Sequence, residues 1–208
     1  MLNALRFARY LAIVQVSILG LTLAHAQVGR EPTRRLITQA IDDSKLVKLP
    51  GNTRSEANAT NDRGPVPASL PVQHMQLLLR LPTEKEEELD KLLHEIQDPH
   101  SPSYHKWLTP EQFRLEFSLA PEDLQIIGGW LTSKGFSINL VGPRSIDFSG
   151  TAGQVRDAFE TEIHYLDVRG VRHIANMGDP QIPAALAPAV AGIVSLNDFK
   201  PHPEKANH

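Results

Sequence analysis

Residues 98–113 read Asp98-Pro99-His100-Ser101-Pro102-Ser103-Tyr104-His105-Lys106-Trp107-Leu108-Thr109-Pro110-Glu111-Gln112-Phe113. Two prolines fix φ in a polar loop and keep the residues before them out of the α region. Tyr104, Trp107 and Leu108 then fall close together, so burial of aromatic area is expected to pin the loop. Thr109 follows as a helix N-cap, with Pro110 at the first helical position and Gln112 placed to close a capping box.

Working outward, Met75–Leu81 is a compact apolar run between Pro71 and Pro82, which suits a buried strand. Thr83 is expected to cap the next helix, with Glu86 in the capping-box position and Leu89, Leu92, Leu93 and Ile96 forming one apolar stripe. The acidic cluster Glu84, Glu86, Glu87 and Glu88 sits in its first turns, where the helix dipole favours it; a solvated face explains it better than a cation site. On the other side, Pro121 starts a second long helix with Glu122 and Asp123 in its first turn. Leu124, Ile127 and Leu131 line one side, Trp130 lies beside them, and Lys134-Gly135 is the stop signal. Phe136–Val141 and Ser145–Ser149 read as strands joined by a Gly142-Pro143 turn. Thr151 caps a third helix through Gln154, turning Val155, Ala158 and Phe159 inward. Alternation from Glu162 to Val168 and from Val171 to Asn176 around Arg169-Gly170 predicts a hairpin. Ile182–Leu196 adds a helical turn and a closing strand. The fold class predicted is α+β: a ferredoxin-like antiparallel sheet with helices packed on one face.

The ends read differently. Arg6 and Arg9, an apolar run from Leu11 to Leu23 and Ala24-His25-Ala26 make a secretory signal peptide over 1–26, with an uncleaved anchor as the alternative. Cleavage there leaves 19 basic against 24 acidic side chains, a charge of 19 − 24 = −5. No membrane association is then expected. Residues 27–71 are polar and proline-broken, and read as an extended, partly disordered arm; 72–199 is the folded unit and 200–208 a polar tail. Asn58-Ala59-Thr60 is a sequon of little specificity. The 208 residues hold no cysteine, which excludes disulfides and thiolate metal sites, and no basic block, which argues against nucleic acid.

Catalytic motifs are missing: the sequence has no G-x-S-x-G elbow, no H-E-x-x-H and no phosphate-binding glycine loop. No catalytic, metal or cofactor residue is assigned. Opposing Val168 and Val171 in the hairpin sets Leu166 against His173 and puts His164 diagonal to it on the same side. Two histidines so placed lack a third ligand, so a half-exposed sheet face is the preferred reading.

Taken together, the strings carry a resemblance. The 98–113 stretch resembles the DP-x-SP-x-YHKWLTPEQF segment of the activation prodomains of the sedolisin/kumamolisin family of serine-carboxyl peptidases. Further segments resemble it in order: Met75–Gln97, Trp130–Phe136, Ile146–Val155, Ala158–His164, Ile182–Pro188 and Val190–Phe199, ending Leu196-Asn197-Asp198-Phe199. So do Leu36–Gln39 and Leu49–Thr53 in the arm. Gly128-Gly129 and Phe117-Ser118-Leu119 depart from the pattern, the latter leaving the cap of the second long helix open. Ser149-Gly150-Thr151-Ala152 lacks the serine that the family's catalytic Ser-Gly-Thr-Ser motif carries, and the catalytic domain with its Glu, Asp and Ser is not among these residues. The resemblance implies a fold like that of subtilisin propeptides, and a secreted partner of a sedolisin-type serine peptidase catalytic domain. Such a domain assists folding, occludes the cleft and is released in acid. Partner contacts are expected at His164 and His173 and along a tail beginning Asn197, Asp198 and Phe199. Tyr104, Trp107, Thr109, Pro110 and Thr151 are expected to be structural. The alternative is an exported ferredoxin-like protein-binding module with no peptidase partner.

Overall fold

The computed structural model describes residues 33–199. The expected signal peptide, the start of the arm and the tail from Lys200 lie outside the described residues. In chain order the elements are β1 (Leu46–Lys48), β2 (Asp62–Pro65), β3 (Pro71–Leu79), α1 (Thr83–Gln97), α2 (Pro110–Glu116), α3 (Pro121–Ser133), β4 (Ser137–Val141) and β5 (Ser145–Thr151). They continue with α4 (Ala152–Phe159), β6 (Ile163–Val168), β7 (Val171–Asn176), β8 (Gln181–Pro183), a 3₁₀ turn at Ala184–Leu186 and β9 (Val190–Val194). The protein is mixed α+β, and its sheets are antiparallel throughout. Where the sequence predicts one sheet, the strands form three: β4-β5-β3-β9, β2-β6-β7 and the pair β1-β8.

Strand alternation decides which face of the four-stranded sheet is buried. Met75 and Leu77 of β3, Ile146 and Phe148 of β5 and Ile193 of β9 point inward, each at most 2% exposed. Ile127 and Leu131 of α3 and Val155 and Phe159 of α4 join them in one core. Phe159 meets Trp130, Phe136 and Phe148 at ring separations of 5.5, 5.5 and 6.0 Å. Gly128 of α3 lies close to Ile138, where an added Cβ would come within 3.3 Å of its Cδ1. Helices α1 and α2 stand apart on a satellite cluster of Leu81, Leu89 and Phe117, with Leu92, Leu108 and Phe113 against it.

Two of the three expected threonine caps form. Thr109 and Thr151 both close capping boxes, with Gln112 and Gln154 respectively. Thr83 does not cap: Pro82 holds the N-cap position without a side-chain bond, and Glu86 is drawn away to Arg144, at 2.9 Å. Tyr104 and Trp107 do not bury: they remain 39% and 65% exposed, and only Leu108 packs inward. The loop is instead closed by its backbone, for example by His105 N–H donating to the Ile96 carbonyl at 3.0 Å.

The arm needs the largest correction. From residue 33 to 71 it supplies β1, β2 and the buried side chains Ile37, Leu49 and Val66 of the main core. Asp123, fully buried at the start of α3, accepts the backbone N–H groups of Leu36 and Ile37 at 2.7 and 3.1 Å. Farther along, Asn52 Oδ1 accepts from Ile193 N–H at 2.6 Å, and Asp179 accepts from the Asn52 N–H and the Thr53 hydroxyl. Few apolar residues suffice here because buried and half-buried polar bonds fasten the backbone at both ends.

Candidate protein-docking surface

The outward face of the four-stranded sheet is built by register. One row crosses all four strands: Leu140 opposes Asp147, Asp147 opposes Gln76, and Gln76 opposes Val194. Next to it, Ser145 opposes Leu78 and Leu78 opposes Gly192. Leu140, Val194 and Leu78 are 62%, 42% and 36% exposed on this face. These exposed apolar side chains, on the same face as the polar groups described next, make this face the candidate docking surface.

Two bulges place a polar cluster beside that row. β3 slips register between Val72 and Met75, with His74 in the left-handed region at φ 55°. β4 slips between Ile138 and Leu140, leaving Asn139 unpaired. Both irregularities aim side chains at β5, which runs between the two strands. Asn139 Nδ2 donates to Asp147 Oδ1 and to Ser149 Oγ, each at 2.7 Å. His74 Nδ1 lies 3.1 Å from Asp147 Oδ2, and His74 N–H donates to Ser149 Oγ at 3.1 Å. The Asn139 amide first, and His74 after it, hold the Asp147 carboxyl below its usual range. The His74 side chain is 71% exposed, so its ring is presented on the surface. The imidazole bonds the carboxylate and the hydroxyl bonds backbone and amide, so the cluster is not a nucleophile–base pair.

The histidines singled out from the sequence are placed otherwise. Val168 does face Val171 and Leu166 does face His173. Yet Leu166 and Ala175 on that side are fully buried, so it is no open face. His164 Nδ1 lies 2.8 Å from Asp62 of β2, and His173 Nδ1 lies 3.0 Å from Asp198. The two rings have separate partners and are not brought together. Asn197, Asp198 and Phe199, expected to lead toward a partner, lie on this chain's own β7. Among the described residues no cluster of three or more His, Asp or Glu side chains could hold a metal, and no helix is long and apolar enough to cross a membrane.

Sequence reasoning missed His74, Asn139 and Asp147. The signal was present as broken alternation: Gln73-His74 puts two polar residues together before Met75, and Leu140-Val141 puts two apolar ones together.

A family model described as "Pro-kumamolisin, activation domain" matches residues 58–199, which is most of the described fold. The chain belongs to this family. Among curated proteins the activation domain is similar to xanthomonalisin of Xanthomonas sp. (strain T-22), 28% identical over 127 residues, and to sedolisin of Pseudomonas sp. (strain 101), 28% identical over 130. These alignments take in 60% and 61% of this chain but only 15% and 22% of the relatives. What this chain shares with them is an activation domain, and the catalytic domain is not among its 208 residues. The family match begins at residue 58, inside the stretch expected to be arm.

Proposed function

We propose that this activation domain assists the folding of a sedolisin-type serine peptidase and then inhibits it, either joined to it or in trans. The observation that carries this reading is the match of residues 58–199 to the pro-kumamolisin activation domain, on a fold that leaves one sheet face uncovered. A surface that binds the native enzyme and not its unfolded chain stabilises the enzyme by mass action, and the same surface delivers the inhibitor. The docking face in this reading is the row Leu140–Asp147–Gln76–Val194 with the His74 cluster beside it. Export behind residues 1–26 belongs to the same reading.

A ferredoxin-like description of the core fits this reading. β3, α3, β4, β5, α4 and β9 run strand–helix–strand–strand–helix–strand, in the spatial order β4-β5-β3-β9. Release in acid is part of this reading, and the histidine–carboxylate pair on the face, His74 with Asp147 at 3.1 Å, supports it.

The test is to add the purified chain to a mature sedolisin-type peptidase and follow hydrolysis from neutral pH down to pH ~3. The expected result is inhibition that is strong near neutrality and fades in acid. Absence of both inhibition and calorimetric binding across that range would leave the domain as a binding module with a different partner.

A further inference from the structure

The last described residues close onto the free edge of β7, the outer strand of β2-β6-β7. Asn197 bridges Ala175 antiparallel, and Asp198 N–H donates to the Ile174 carbonyl at 3.2 Å. Asp198 Oδ1 accepts the Ile174 N–H at 3.0 Å and lies 3.0 Å from His173 Nδ1. The Phe199 ring stacks on the His173 imidazole at 3.9 Å and 15°. With that face covered, the other is left to Arg54, whose guanidinium carbon is 4.5 Å from the ring centroid. Glu56 grips that guanidinium at 3.1 and 2.9 Å, and this pairing holds its carboxyl down at about 2. Three distant parts of the chain, 54–56, 173–174 and 197–199, thus meet in one stack.

We propose that this stack is a clasp that withholds the bonds from Leu196 to Phe199 from proteolysis, so that any cut freeing the domain at its C-terminal side falls beyond Phe199. An endopeptidase takes its substrate as an extended strand with free backbone N–H and C=O groups on both sides of the bond. Here the segment is already bridged to β7 at Asn197, the Phe199 N–H is given to Asn197 Oδ1, and the aromatic side chain is held between a cation and an imidazole. Cleavage inside 196–199 therefore requires local opening, and its rate falls by the fraction of time the clasp is open. The clasp rests on the contacts above. Only its purpose, to leave the inhibitory domain whole until release, rests on the proposed function.

The experiment is limited proteolysis of the full chain with chymotrypsin, which accepts Leu196 and Phe199, with fragments read by mass. Wild type is compared with Arg54→Ala and His173→Ala, each checked by thermal melting. Cleavage after Leu196 is expected to be at least about 10-fold faster in the folded variants. Equal rates in wild type and in both variants would overturn the proposal. Should the variants unfold, hydrogen exchange on wild type decides: slowed exchange at the Ile174 and Asp198 amides supports the clasp, and free-peptide rates there refute it. A commercial protease is used, so the result does not depend on whether the chain inhibits a peptidase.

Discussion

Asp123 and Trp107 show how far side-chain type and side-chain role diverge. Asp123 reads as an acidic residue of a helix first turn; it is fully buried and holds two backbone N–H groups of the arm. Removing it leaves one buried and one half-buried donor unpaired, at about 1–3 kcal/mol each. Asp123→Ala should lower stability by roughly 3 kcal/mol in urea titration, and a loss under ~0.5 kcal/mol would refute the role. Trp107, the centre of the stretch that reveals the family, is 65% exposed. Trp107→Ala should change unfolding free energy by no more than about 0.5 kcal/mol, as exposed substitutions do. By contrast Trp130, 4% exposed and bonded to Asp43 at 3.1 Å, is a core residue. Local pattern gives both tryptophans a structural reading, because burial is set by which elements come to cover a residue and not by its own type.

Elements were legible where their signals are local. Both threonine capping boxes, the glycine stop after α3 and the Val168–Val171 register need only neighbours within a few residues. Thr83 misled because Glu86 answers to Arg144, 58 positions away. The bulges at His74 and Asn139 were illegible as a site because each depends on facing β5 from opposite sides. The local signals carry checkable costs. Thr151→Ala removes a cap worth about 1 kcal/mol. Gly135→Ala is strained by φ +86° and by Gln154 Nε2, 2.5 Å from the added Cβ, and should cost more than the ~1 kcal/mol typical of such positions. Equilibrium melting that ranks Gly135→Ala as the milder of the two would contradict the geometry.

For the whole molecule, the carboxylates set the acid limit. Asp43, Asp62, Glu84 and Asp147 are held below their usual ranges, chiefly by Lys134, the Gly64 amide, Arg34 and Asn139 respectively. Glu56 is drawn from 4.5 to about 2 by Arg54. Folded-state values below unfolded ones mean the stabilisation is complete above the unfolded pKa and is lost as pH falls through the folded one. Melting temperature should therefore hold from pH 7 to ~5 and decline below ~4.5 toward pH ~2; a decline beginning above pH ~6 would point to other groups. The arm, the three sheets and the latched C-terminal segment all act at this scale. Periodicity could not reveal them, because they join residues far apart in the chain, 141 positions in the case of Asn52 and Ile193.

The measurement that bears most directly on the docking face is calorimetric titration of a mature sedolisin-type peptidase, near neutral pH, with three folded forms of the chain. Wild type is set against Leu140→Asp on the open sheet face and against Val171→Asp on the hairpin, where Val171 is 54% exposed. If the sheet face docks the peptidase, Leu140→Asp weakens binding at least tenfold, about 1.4 kcal/mol, while Val171→Asp binds like wild type. Undiminished binding by Leu140→Asp, or equal losses in both variants, would contradict that docking face.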